Sequence, residues 1–211
     1  MPRLRNPLLL LATLALLAPA TASADLFISE YIEGSSLNKA IEIYNSTGAA
    51  VDLSDYELRL YSNGAAAVSQ SVTLSGMLAD GDVVVVSRSD ADPDIVAVTD
   101  ILAPAVINFN GDDVVELYKL SAASSVDVIG QIGVDPGTAW TNGGVTTVNA
   151  TIRRKADVCQ GDPNGADAFD PSIEWDPFAN DTFDGLGSHT SNCGPTPTSS
   201  STWGRVKSLY R

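Results

Sequence analysis

The residues best suited to chemistry are few and scattered. Asp162-Pro163-Asn164-Gly165-Ala166-Asp167, with Asp170 close behind, gathers side-chain oxygens on a Gly-containing loop. Ca²⁺ takes roughly six to eight oxygen ligands, so Asp162, Asn164, Asp167 and Asp170 form a candidate calcium set, although the closing Glu of an EF-hand is missing. The same residues are also plain turn formers, because Asp and Asn accept bonds from backbone N–H groups two residues on. Arg153-Arg154-Lys155 is the one basic cluster before the C-terminal end. It has the chemistry of a phosphate contact, and equally that of a partner for nearby carboxylates. His189, the only histidine, lies in Gly-Ser-His-Thr-Ser without a nucleophile elbow, which favours a loop residue making a backbone hydrogen bond. Paired carboxylates can hydrolyse glycosides, but among 26 acidic residues pairs arise by chance. No phosphate-binding or dinucleotide-binding glycine loop is present.

Cys159 and Cys193 are the only cysteines. A zinc site asks for about four ligands at short spacings, so a disulfide between the two is expected, provided the chain is exported. Export is legible at the start. Arg3 and Arg5 precede the apolar run Leu8–Ala18, and Ala22-Ser23-Ala24 is a small-x-small cleavage site. The run is shorter than the roughly 20 residues of a spanning helix, and no later stretch reaches that length. Residues 1–24 are therefore assigned as a signal peptide, and the protein as secreted or held at the cell surface.

These groups must be positioned by strands. Leu26–Tyr31, Lys39–Tyr44, Tyr56–Tyr61, Val68–Leu74, Asp82–Ser87, Asp113–Leu120, Val126–Ile132 and Thr151–Arg154 alternate or are β-rich, with Ile95–Val98 as a further candidate. Asp82–Ser87 is apolar on both faces, as a central strand would be. Turn signals such as Asn63-Gly64, Asp80-Gly81 and Asn110-Gly111 separate them, and no segment sustains a helical period over three turns. The pattern predicts an all-β fold, an antiparallel two-sheet sandwich. In the alternation of Leu26–Tyr31, Glu30 falls in phase with Leu26 and Ile28. It would turn inward, needing Lys39 or Arg59 as a partner, unless a bulge turns it to solvent.

From Ala156 the texture changes. Residues 156–204 hold eight acids and no Lys or Arg, yet also Phe169, Ile173, Trp175, Phe178, Phe183 and Leu186. This is expected to be an irregular acidic extension packed on the sandwich and fastened by its disulfide. Residues 194–202 have linker composition, and Trp203–Arg211 forms a short basic tail, giving a folded unit over 25–193 and a linker and tail over 194–211.

LFISEYIEGSSLNKAIEIYN, VDLSDYELRLYSNG, FNGDDVVELYK and VDVIG, in that order, resemble a bacterial lamin-tail domain. IRRKADVCQGDPNGADAFDPSIEWD, with DTFDGLGSHT, is similar to the end of such domains in secreted bacterial nucleases. The resemblance implies an immunoglobulin-like β-sandwich. It also implies an accessory module, because in those nucleases the chemistry belongs to a separate metal-dependent domain, for which this chain has no room.

The formal charge of −14 repels polyanions on average, so nucleic acid is disfavoured as a partner. The expected function is a secreted, non-catalytic binding or adhesion module, whose partner is an extracellular protein or a surface polymer, with Ca²⁺ as the one candidate cofactor. The alternatives are an accessory part in extracellular DNA processing, binding DNA or a nuclease, and a hydrolase with an unrecognised carboxylate site.

Overall fold

The computed structural model describes residues 25–193. The assigned signal peptide and the C-terminal linker and tail lie outside the described residues. In chain order the strands are β1 (Leu26–Glu33), β2 (Lys39–Asn45), β3 (Val51–Asp52), β4 (Tyr56–Tyr61), β5 (Gln70–Thr73), β6 (Met77–Leu78) and β7 (Val83–Ser87). After α1 (Pro93–Ala97) come β8 (Ile101–Leu102), β9 (Val114–Lys119), β10 (Ser124–Ile129), β11 (Thr141–Asn142), β12 (Val145–Thr146) and β13 (Ala150–Arg154). Finally α2 (Pro171–Glu174) runs into β14 (Trp175–Phe178). One sheet has the order β14-β13-β1-β2-β7-β8 and the other β10-β9-β4-β5, with two small ribbons, β11–β12 and β3–β6. This is the expected all-β immunoglobulin-like sandwich.

Alternation decides the faces. Ile41 and Ile43 of β2 meet Leu58 and Leu60 of β4 and Val115 and Leu117 of β9 in the core between the sheets. β7 is apolar on both faces because both are covered: Val84 and Val86 enter this core, while Val85 packs outside with Ile32, Ala40, Ile95 and Leu186. Leu186 comes from the acidic extension, whose Phe183 also packs there. The outer face of the other sheet is partly covered too, by Trp140 and Phe169 over Tyr61, Val114 and Val128. The extension is thus wrapped on the sandwich, as its apolar residues required, and Cys159–Cys193 closes it with Cα atoms 5.5 Å apart.

Two local expectations fail. Ile95–Val98 is not a strand; Asp92 caps a short helix by accepting from Asp94 N at 3.0 Å, and Pro93 starts its first turn. Trp175–Phe178 does pair, antiparallel with β13, although Pro177 and flanking acids conceal it in the sequence. Pro177 is tolerated because β14 is an edge strand.

Bulges fix the junction of the two sheets. The β1–β2 register slips between Ile28 and Glu30, and the β10–β9 register slips between Ser125 and Asp127. β13 pairs with β1 only from Glu30 onward, so the backbone of Ile28 has no strand partner on that side. Side chains supply it: Asp127 Oδ2 accepts from Ile28 N at 2.7 Å, and Arg154 Nε donates to Ile28 O at 3.0 Å. Arg154 and Asp127 are themselves ion-paired, with side chains 1% and 0% exposed. Arg154 also pairs with Glu174 and lies 4.1 Å from the centroid of Trp175. Asp127 Oδ1 accepts from Asp162 N at 2.9 Å, and a Cβ at Gly161 would overlap the Asp127 side chain.

A buried ion pair is costly to break on one side, because the remaining charge has no water. Asp127→Ala is expected to destabilise the chain by about 3–5 kcal/mol, read as a lower urea midpoint. The double variant Asp127→Leu/Arg154→Met should cost less than either single removal; equal or additive losses would contradict this account.

Candidate functional site

The site grows from the β1 bulge. With Ser29 as the extra residue, Tyr31 rather than Glu30 faces the core, and Glu30 sits on the outer face opposite Glu42 of β2. It is not turned to solvent, as a bulge alone would have it: Glu30 is 2% exposed, because residues 181–190 of the extension cross over it. Nor are its partners Lys39 or Arg59. Lys39 pairs with Glu33, and Arg59 with Glu57 and Glu116. Arg153 of β13 takes the role, its Nε 3.1 Å from Glu30 Oε2 and its Nη2 2.6 Å from Asp184. Gly185 is required where the extension crosses, since a Cβ would overlap both Glu30 Oε2 and the Arg153 guanidinium.

Glu42 is also buried, but both its oxygens are held. Oε1 accepts from Ser29 Oγ at 2.6 Å and Oε2 from Gly187 N at 2.7 Å. Glu30 Oε1 has no hydrogen-bond partner, and neither has the buried Nε2 of His189. His189 makes aromatic contacts, with ring centroids 5.7 Å from Phe27 and 4.9 Å from Tyr44. Burial raises the Glu30 carboxyl from 4.5 to about 7, against the opposing pull of Arg153 and with some help from Glu42. Burial also lowers His189 from 6.5 to about 4, aided by Arg154. Glu42 is raised, again chiefly by burial. Glu30, Arg153, Asp176, Phe178, Ser188 and His189 line one cleft of about 280 Å³.

The basic cluster is engaged within the chain. Arg153 and Arg154 are committed to carboxylates, Arg154 being 3% exposed, and Lys155 Nζ donates to the carbonyls of Ser172 and Ile173 at 2.8 Å. The acidic loop is likewise occupied with its own backbone. Asp162 Oδ1 accepts from Asn164 N at 2.9 Å, and Asn164 Oδ1 from Ala166 N at 3.4 Å. Asp170 caps α2 through Ser172 N and accepts from Asn142 Nδ2 at 2.6 Å. Asp162, Asp167 and Asp170 do border one cavity of about 140 Å³ with Glu174, but Glu174 is paired with Arg154. Among the described residues no group of three or more His, Cys, Asp or Glu side chains is placed to hold a metal ion. Cys159 and Cys193 do form the disulfide. Sequence reasoning missed Glu42, Asp176 and Phe178, since an alternating strand assigns Glu42 to solvent and nothing local shows a roof over it.

Two outcomes are expected. The raised Glu30 favours the fold most fully below pH 4.5 and loses that contribution as pH rises to about 7. His189 acts oppositely, its contribution present above pH 6.5 and lost as pH falls to about 4. Relative to the parent chain, Glu30→Gln should therefore gain melting temperature as pH rises through its window. His189→Asn should gain as pH falls through its own, and parallel profiles would refute the assignment. Calcium at millimolar concentration should leave the melting temperature where chelator leaves it; a rise of several degrees would restore the Asp162–Asp170 loop as a site.

Comparison with curated proteins gives no match, and comparison with solved structures gives none. The family model described as Lamin Tail Domain matches residues 19–133, which takes in β1 to β10 and stops before β13, β14 and the acidic extension. The match covers more than half of the chain: the chain belongs to the lamin tail domain family.

Proposed function

We propose that this chain is an exported, non-catalytic binding module that takes an extended segment of another extracellular protein on the edge of its four-stranded sheet. The observation that carries the reading is the state of the sheet edges. β14 contains Pro177, β8 has two residues, and β10 is bulged and lies against residues 161–165. β5 has none of these protections. Gln70, Ser71 and Thr73 are exposed, and Val68 just before the strand is 42% exposed. Leu74 N donates to Tyr56 O, in phase with the pairs Leu58–Val72 and Leu60–Gln70. The N–H groups of Ser71 and Thr73 therefore point away from β4.

Unprotected edges recruit strands. No charged residue lies between Leu60 and Ala79, and the neighbouring Glu57, which accepts from Ser71 Oγ at 2.9 Å, is paired with Arg59, so a neutral segment meets little of the field of a strongly acidic chain there. Export is supported by the leader pattern of residues 1–24 and by the disulfide, which belongs to oxidising compartments. Among the described residues no helix is long and apolar enough to cross a membrane. DNA binding draws no support from Arg153-Arg154-Lys155, whose groups are engaged within the chain.

A second reading, a carboxylate hydrolase, is favoured by one observation: Glu30, raised to about 7, shares a cleft with Asp176.

The edge reading is tested with a photo-crosslinking residue at position 71. It should capture an extracellular protein through an extended segment, whereas the same residue at exposed Asp157 should not. Ser71→Pro, which removes an outward N–H, should abolish the adduct formed from a crosslinker at position 73. Equal capture from positions 71 and 157, or capture that survives Ser71→Pro, would reject β5 as the docking edge.

A further inference from the structure

We propose that the cleft between β14 and the Gly185–Thr190 roof binds a single neutral sugar residue, held by hydroxyl contacts to Glu30, Arg153 and His189 and by the ring of Phe178. The inference stands apart from the edge reading, since β5 lies in the other sheet.

The first observation is the pair of unpartnered atoms. Glu30 Oε1 and His189 Nε2 are both buried without a hydrogen bond, and both residues line the same cleft. Leaving a buried acceptor unsatisfied costs about 1–3 kcal/mol, so a group that satisfies either has a built-in advantage. A hydroxyl both donates and accepts. It therefore matches Glu30 whether ionised or protonated, and His189 in either tautomer.

The second observation is the balance of the walls. Glu30 and Asp176 face Arg153 and Arg154, with Ser29, Ser188 and Thr190 among them. A metal ion would meet the Arg153 guanidinium, and an anion would meet Asp176 and the 81% exposed side chain of Asp184 at Arg153. A purely apolar ligand would strand these polar groups. What remains is a neutral, polar, hydroxyl-rich molecule.

The third observation is size and the ring. Small-molecule pockets begin near about 300 Å³, so 280 Å³ holds one ring-sized unit rather than a chain. Phe178 is 37% exposed, and the Arg153 guanidinium carbon sits 4.0 Å from its centroid. That guanidinium covers one ring face, and the other face, which carries partial negative charge, is the one that suits the C–H side of a pyranose. Because the two unpartnered atoms are shut from water, access requires the roof turn to yield. That turn is held by a long bond, Ser188 N to Gly185 O at 3.3 Å, and by Gly187 N to Glu42.

The test is amide NMR of the oxidised full chain, titrated separately with glucose, galactose and N-acetylglucosamine. At least one should shift the amides of Asp176, Phe178 and Ser188–Thr190 with a saturable millimolar profile. Phe178→Ala, a change at a partly exposed site, should weaken that profile about tenfold or more, a difference of roughly 1.4 kcal/mol, and Glu30→Gln should alter it as well. Ser71→Pro should leave it unchanged. Turnover of an oligosaccharide bearing the bound sugar would keep this site and remove only the non-catalytic part of the functional reading. The proposal is overturned if no sugar shifts these amides, if the Phe178→Ala profile equals the parent's, or if ammonium or calcium alone produces the same shifts.

Discussion

The structure depends on one buried ion pair, Asp127 with Arg154. It exists because two bulges meet: β1 slips at Ile28 and β10 slips at Asp127, leaving Ile28 with backbone groups that no strand can satisfy. A backbone amide and carbonyl left bare in an interior are each costly. The carboxylate takes the amide and the guanidinium takes the carbonyl, so the pair stitches the two sheets together where hydrogen-bonded pairing is impossible. The same two side chains then reach outward, to Asp162 N, Glu174 and Trp175. The acidic extension is therefore attached to the centre of the sandwich as well as by its disulfide.

That attachment changes what the outer face of the first sheet means. An antiparallel sheet ordinarily buries one face and solvates the other, and the alternation of β2 conforms to that rule. The extension crosses the solvated side and closes it over Ser29, Glu30 and Glu42. Burial then forces opposite adjustments on two titrating groups: the acid of Glu30 is held back from ionising and the imidazole of His189 from protonating. Burial thus makes both groups harder to charge, in a cleft whose other walls carry Asp176, Arg153 and Arg154. A chain of formal charge −14 thus carries at β5 an edge whose one adjoining carboxylate, Glu57, is paired with Arg59, and beside β14 a cleft of mixed charge.

The family match spans β1 to β10 and ends before the extension. The sandwich is the shared framework, whereas the roof, the disulfide and the cleft are built largely from the residues that follow. Arg153 and Arg154 stand at the seam. Their partners, Glu30 and Asp127, lie in the matched part, while Asp184 and Glu174 lie beyond it.

The sequence by itself determined the fold class, most of the long strands, the faces of β2 and β4 and the pairing of the only two cysteines. Each of these is local or has a single solution: period-two alternation sets which side chains share a face, and two cysteines can pair within a chain in only one way. It also marked the extension as packed, because a free tail would not carry Trp175, Phe183 and Leu186. It could not place the short helix at Pro93, where capping outweighs β-propensity, nor the edge strand β14 behind its proline. Above all it could not choose partners for charges. Arg153-Arg154-Lys155 reads equally as a phosphate grip or as counter-charge, Glu30 has several cations within reach on paper, and Asp162–Asp170 reads equally as turn or ligand set. Those choices were decided by the tertiary structure, because charge pairing depends on which side chains desolvate together. Desolvation here was set by two bulges and by an extension that folds back from more than a hundred residues away.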